Sequence, residues 1–430
     1  MPGKNVCKGL LALSPIIVLL TIYLAGSIVA GDFYRIPIAV AFMVASVYAI
    51  TITRGDTLNS RIDSFSKGAA NPRIMYMIWI FVLAGAFAAL AKAMGAVDAT
   101  VGITLNIIPS NYLPAGIFIA ACFVSMSIGT SVGTIVALTP VVTELASQMN
   151  CSIAWLVAIV VGGAFFGDNL SFISDTTIAA TQTQGCSMRS KFRTNFLLVM
   201  PAAITTLLIY AFSGNSIEEI ATTAISPTDI IKCIPYIIVI ITALIGVNVL
   251  MVLIIGIATA AAIGLATESI GSISIFTEMG NGIMGMCELI IVTMLAGGLL
   301  EIVRLNGGID FLIRIVTLRV RTRRAAETAI ATLTALANLC TANNTIAILT
   351  VGNISRDIAK KSGISPRRSA SIMDTTSCFV QGIIPYGAQL LMASGLAKVS
   401  PLAIIPNLYY PMLIGVTILL SIALQRPRGK

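Results

Sequence analysis

Histidine is absent from all 430 residues. That removes the usual Ser-His-Asp relay, the side chain that most often switches charge near neutral pH, and the commonest metal ligand. Charge is scarce too: Asp, Glu, Lys and Arg make up 10% of the chain, against about 25% in a soluble domain. The eight cysteines (Cys7, Cys122, Cys151, Cys186, Cys233, Cys287, Cys340, Cys378) form no C-x-x-C pair, and most lie in apolar stretches. They read as small core residues, not as a disulfide or metal framework. The net charge of +9 invites a nucleic-acid partner, but Lys and Arg gather in short loops between apolar runs, where they orient a membrane protein. No nucleic acid, cofactor or enzymatic activity is expected.

What the chain does have is apolar length. Hydrophobic residues make up 57% of it and the mean hydropathy is +0.95. Apolar runs at 10–30, 34–52, 74–97, 194–213, 229–246, 248–266, 283–303 and 402–424 can each cross a hydrocarbon core of about 30 Å as a helix. Nothing between them is long enough for a soluble domain. The first run follows Lys4 and Lys8 and ends Ser27-Ile28-Val29-Ala30; it is long for a signal peptide and reads as a retained helix. The expected partner is membrane lipid.

Two stretches about 210 residues apart follow one plan. The first has Leu83-Ala84-Gly85, Lys92, Gly95 and Asp98, then the polar patch Ser127 to Thr134. The second has Leu295-Ala296-Gly297, Arg304, Gly307 and Asp310, then Thr341-Ala342-Asn343-Asn344-Thr345. Residues 98–112 contain no Lys or Arg, whereas the matching stretch carries Arg314, Arg319, Arg321, Arg323 and Arg324. Short basic loops stay cytoplasmic, so the two copies should be inverted relative to each other. Inverted repeats with polar breaks at mid-membrane mark secondary transporters.

The expected fold is therefore an all-α polytopic membrane protein of two inverted repeats, 1–213 and 229–430, joined by an extracytoplasmic linker, 214–228. Each repeat has five spans and one re-entrant hairpin. The hairpins fall at 113–149 and 325–362, and the broken helices at 153–184 and 369–396. Basic residues at Lys4 and Lys8, at Arg54, Arg61, Lys67 and Arg73, at Arg189, Lys191 and Arg193, and at Arg426, Arg428 and Lys430 are read as cytoplasmic loops and termini. Glu218, Glu219 and Asp229 mark the outer linker. The turn Gly246-Val247-Asn248 is the joint on which this topology depends.

Irregular backbone at membrane depth is tolerated only where it is buried or lines a cavity. Polar groups concentrate at the two tips and two breaks. Asp168, Asn169, Ser171, Ser174, Asp175 and Thr176 lie in the first break, and Ser131 and Thr134 at the first tip. Asn343, Asn344 and Thr345 form the second tip; Asp374 and Gln381 lie in the second crossing helix. An intramembrane carboxylate costs at least about 2.5–3.5 kcal/mol, which points to function. Carboxylate, amide and hydroxyl oxygens suit a hard cation, and a buried carboxyl can hold a proton instead. One site taken in turn by Na⁺ and H⁺ is enough for exchange, with Asp168, Asn169 and Asp175 as ligands of the transported ion.

Each residue also has a plainer reading. Asp168 or Asp175 caps the following half-helix; Asp374 pairs with Arg367 or Arg368; the Asn343 tip satisfies its own turn. Lys92 and Arg304 snorkel at span ends. Gly129-Thr130-Ser131-Val132-Gly133 matches the nucleophile elbow of hydrolases, which needs a histidine this chain lacks. Sequons at Asn169, Asn343 and Asn353 fall in or beside core segments.

At Gly167-Asp168-Asn169-Leu170-Ser171-Phe172-Ile173-Ser174-Asp175-Thr176-Thr177 the chain resembles the NhaC-type bacterial Na⁺/H⁺ antiporters of the ion-transporter superfamily. Ile372-Met373-Asp374-Thr375 and Val380 to Gln389 resemble that family's second signature. The resemblance spans about 74–420. It implies Na⁺/H⁺ exchange, with Li⁺ as a second cation, in a bacterial inner membrane, and a homodimer. The family usually has proline where Phe172 stands. Some relatives exchange organic anions such as malate and lactate; no Lys or Arg lies in either break of the sequence, which favours a cation.

Overall fold

The computed structural model describes residues 3–25, 37–53, 57–107, 109–172, 174–213, 225–317 and 320–426. Arg54, Ile173, Glu218, Glu219, Arg319, Arg428, Lys430 and most of the 214–228 linker lie outside the described residues. All described secondary structure is helical. The first half runs α1 (Gly3–Leu20, extended by a π turn), α2 (Ile38–Ile52), α3 (Leu58–Ala69), α4 (Pro72–Ala93), α5 (Ala96–Ile107), α6 (Leu113–Ile128), α7 (Ser131–Gln148), α8 (Ile153–Leu170), α9 (Asp175–Gln184) and α10 (Met188–Ser213). The second runs α11 (Pro227–Lys232), α12 (Ile234–Leu244), α13 (Val249–Ala266), α14 (Ser272–Met284), α15 (Cys287–Leu305), α16 (Gly308–Thr317), α17 (Arg323–Thr341), α18 (Asn344–Lys361), α19 (Pro366–Ile383), α20 (Ala388–Ala397), α21 (Pro401–Ile404) and α22 (Tyr409–Leu424).

Among the described residues, five stretches are long and apolar enough to cross a membrane: Ile74–Ala93, Ile153–Gln184, Met188–Ser213, Val249–Ala266 and Ser272–Leu305. Shorter apolar helices accompany them, including Ile38–Ile52 and Tyr409–Leu424. Three stretches read as loops are in fact helical. The basic segment after α2 forms α3, the uncharged stretch after Asp98 forms α5, and part of the Arg-rich stretch forms α16. Their mixed composition hides them from a search for long apolar runs, although an apolar stripe is enough to dock a short helix. Gly246 takes φ +83° and the Asn248 side chain caps α13, so α12 and α13 are separate helices.

The halves pack reciprocally. α3 packs on α15 while α14 packs on α4; α9 packs on α18 while α20 packs on α7; α16 packs on α1 while α11 packs on α5. One hydrogen bond recurs 213 positions on (125 to 338, 164 to 377): Ser125 Oγ donates to the Ala164 carbonyl at 2.6 Å, and Asn338 Nδ2 to the Ser377 carbonyl at 2.9 Å. The first pins α6 to α8 and the second α17 to α19. The tips match as well. α6 ends on Gly129 at φ +75° and α17 on Ala342 at φ +48°, the left-handed turn that ends many helices. Ala342 carries a Cβ there, at a steric cost of about 1–2 kcal/mol; Gln381 Nε2 holds its carbonyl at 2.9 Å.

Candidate functional site

Both tips and both breaks meet around Asp168. α8 stops at Leu170 and Ser171 is extended (φ −65°, ψ 140°); Ser174 then caps α9 by accepting from the Thr176 amide. Gly167 permits this break to press on the first hairpin, since a Cβ there would lie 2.3 Å from Ser125 Cβ. Asp168, one residue on, is 4% exposed. Its carboxylate accepts from Ser174 Oγ at 2.5 Å, Ser131 Oγ at 2.9 Å and Asn344 Nδ2 at 3.3 Å. Ser131 and Asn344 open the second arms of the two hairpins, 213 positions apart (131 to 344). Two helix N-termini thus flank one carboxylate, an arrangement that favours negative charge. No Lys or Arg among the described residues forms an ion pair with Asp168.

A cavity of about 510 Å³ opens onto Asp168 and is lined by both tips, by α4 and by α9. Its lining holds two carboxylates, Asp168 and Asp175, and no Lys or Arg among the described residues. Asp175 starts α9, is exposed and lines this cavity, so Ser174, not Asp175, is the cap. Thr176 and Thr345 also line it. The second tip divides its labour: Asn343 Oδ1 accepts from the Ile346 amide at 3.0 Å, serving its own turn, while Asn344 reaches Asp168.

Other expected residues point elsewhere. Thr134 is buried and donates to the Thr130 carbonyl at 3.2 Å. Ser171 donates to the Met126 carbonyl at 2.8 Å, tying the break to the hairpin. Asn169 is turned toward α10, where its side-chain and main-chain oxygens accept from Asn195, and it does not line the cavity. Gln381 donates to Ala342 and, at 2.8 Å, to Gln389 Oε1. Gln389, which closes the second signature but was not assigned to the site, donates to Ser131 Oγ at 3.0 Å and lines the cavity. Its place 213 positions after Thr176 (176 to 389) was the available signal.

The largest correction concerns Lys191. Read from sequence as a cytoplasmic loop residue, it is 1% exposed on α10 and ion-paired with Asp374, which is 0% exposed. Its Nζ also donates to the Asn169 carbonyl at 2.6 Å and to Thr177 Oγ1 at 2.9 Å. A cation therefore does reach the first break, from the next helix. Neither Arg367 nor Arg368 pairs with Asp374: Arg368 binds Glu327 instead, through Nη2 at 3.0 Å and Nε at 3.3 Å, with Ser421 Oγ at 2.5 Å. A long side chain on an amphipathic helix start faces inward or outward according to packing, which composition does not reveal. Lys92 and Arg304 are exposed, paired with Glu144 at 3.5 Å and Glu301 at 2.8 Å. Phe172, at the position where proline was expected, is exposed and stacks on Phe192 with centroids 4.7 Å apart.

The model of the Na⁺/H⁺ antiporter family matches residues 9–215 and 215–424. The chain is 22% identical to the Na⁺/H⁺ antiporter NhaC of Alkalihalophilus pseudofirmus, covering 82% of each protein. It is 25% identical to the malate-2H⁺/Na⁺-lactate antiporter of Bacillus subtilis over 46% of this chain and 42% of that one. Among solved structures, the YdaH transporter of Alcanivorax borkumensis aligns over 86% of this chain and 89% of its own, with 14% identity and a TM-score of 0.40. With its apolar helices, this is a multi-pass membrane protein, and the chain belongs to the Na⁺/H⁺ antiporter family.

Proposed function

We propose that this chain exchanges Na⁺, or Li⁺, for H⁺ by alternating access at Asp168. The observation that carries the reading is the charge balance of the buried site. Asp374 is neutralised by Lys191, whereas Asp168 is buried with three neutral hydrogen-bond donors and no basic partner among the described residues. A buried carboxylate without a counter-charge must take a proton or a cation. Either one neutralises the same oxygens, so both cannot bind at once. The hydroxyls of Ser131 and Ser174 donate to the empty carboxylate and, by rotating, offer lone pairs to a cation. Asn344 and Gln389 present their amide N–H groups to Asp168 and Ser131, and Asp175 raises the local concentration of cations in the cavity.

The repeated helix order and reciprocal packing support two inverted repeats with re-entrant hairpins at α6–α7 and α17–α18. Lys4 and Lys8 near the start of α1, and Arg426, Arg428 and Lys430 after α22, support cytoplasmic termini. An organic-anion exchanger would use the same fold, but the cavity lining carries two carboxylates and, among the described residues, no Lys or Arg. Lys191 is committed to Asp374 and does not line that cavity.

The test is the pH-gradient response of everted vesicles or proteoliposomes to Na⁺, Li⁺, K⁺ and malate, for the parent and Asp168→Asn. Dequenching by Na⁺ or Li⁺ that disappears in the variant is expected. Counterflow of an organic acid without any cation response would overturn the proposal.

A further inference from the structure

Matching the halves by position pairs Tyr76 with Glu288 and Met77 with Leu289, a step of 212 (288 minus 76). It pairs Ile178 with Leu391 and Gln182 with Gly395, a step of 213 (391 minus 178). The first-half members all line the 510 Å³ cavity between α4 and α9 that reaches Asp168. Their four counterparts all line a second cavity of about 370 Å³ between α15 and α20. That cavity is lined by neither Asp168 nor either hairpin tip.

The difference lies in how closely each pair of helices approaches. α15 packs directly on α20, and Leu289 fills the space a side chain on Gly395 would need, its Cδ1 2.6 Å from an ideal Cβ. Leu289 and Leu391 are buried, Ser394 is half-buried and Glu288 is exposed at the outer end. On the other side, Met77 and Gln182 face open space. The same constellation thus lines a cavity that reaches Asp168 in one half and one that stops short of it in the other. An interdigitated apolar contact is bistable and not continuously deformable.

We infer that the cleft between α15 and α20 is the second route of the transported cation, closed here by Leu289 against Gly395. Glu288 and Ser394 supply oxygens along its outer part, and Lys398 lines the same cavity. Opening it requires α15 and α20 to part while α4 closes on α9, so that the Asp168 site exchanges one cavity for the other. This rests on the alternating-access reading above.

The test uses the full chain with its eight native cysteines replaced. Gln182→Cys and Ser394→Cys report the two cavities through a membrane-impermeant maleimide. Labelling from opposite membrane faces is expected. Gly395→Ala, whose methyl displaces Leu289, should raise labelling at Ser394→Cys several-fold and lower it at Gln182→Cys. Labelling of both from one face, or changes in the same direction, would overturn the route. Should Gly395→Ala not fold, the pair Leu289→Cys with Gly395→Cys serves instead. Cross-linking by oxidation or a short bis-thiosulfonate should stop exchange reversibly while Gln182→Cys stays reactive. Full-rate exchange in the cross-linked protein, or no cross-link with either reagent, would remove the route. Loss of Na⁺/H⁺ exchange in the uncross-linked parent with reciprocal labelling intact would remove the substrate assignment alone.

Discussion

Replacing Lys191 with Met tests whether the Lys191–Asp374 pair holds the fold together or takes part in exchange. Methionine matches the stem of lysine and removes its charge. It deletes the bonds to Asn169 O at 2.6 Å and Thr177 Oγ1 at 2.9 Å together with the ion pair. Asp374, 0% exposed, keeps only Thr177 Oγ1 at 3.4 Å. Breaking a buried pair from one side costs about 3–5 kcal/mol, because the remaining charge has no solvent and no partner. At 1.4 kcal/mol per decade, that is a drop of about 10²–10⁴ in the folded-to-unfolded ratio. Removing both charges at once, in Lys191→Met with Asp374→Asn, should recover most of the loss, with a coupling energy of about 2–3 kcal/mol. The assay is denaturant or thermal unfolding of the detergent-purified protein, followed by vesicle exchange for whichever variants fold. A double variant that folds and still exchanges Na⁺ for H⁺ makes the pair structural. A double variant no more stable than the sum of the singles, or a single within about 1 kcal/mol of the parent, would refute the argument.

The second buried pair makes the same prediction elsewhere: Glu327→Ala strands Arg368, 1% exposed, and should destabilise by about 3–5 kcal/mol, while Glu327→Ala with Arg368→Met should be milder in the same melt. Ala342→Gly relieves the left-handed tip at φ +48° and should raise stability by about 0.5–1 kcal/mol, measured as a denaturation midpoint. Gly167→Ala places a methyl 2.3 Å from Ser125 Cβ, so the broken helix must shift off the hairpin; exchange should fall to background even in protein that inserts. Gln389→Leu deletes the donor to Ser131 and should weaken apparent Na⁺ affinity without abolishing exchange, whereas Gln389→Glu should retain tighter binding than the leucine variant.

Much of the architecture could be read from periodicity and loop charge because those signals are local. Gly85 and Gly297 lie inside α4 and α15, Lys92 and Arg304 in their last turns, and Gly95 and Gly307 in the turns that follow. Asp168 stood out because a carboxylate in an apolar segment is costly wherever the rest of the chain lies. Lys191 did not, because a lysine three residues into a helix that follows a polar turn looks the same whether it faces water or a buried aspartate. Gln389 was equally inconspicuous among the small and polar residues of the second break. The short helices α3, α5 and α16 were missed because their stability comes from docking one stripe on a neighbour, not from apolar length.

The order of residues by itself determined that this is a helical membrane protein, where its chain is broken, and which carboxylates would be costly to bury. Those properties follow from the transfer energy of short segments. Only the tertiary structure decided which buried carboxylate has a basic partner. Asp374 is cancelled by a lysine 183 positions away in the chain (374 minus 191), while Asp168 faces donors from positions 131, 174 and 344. Coulomb energy falls with distance in space and takes no account of distance along the chain.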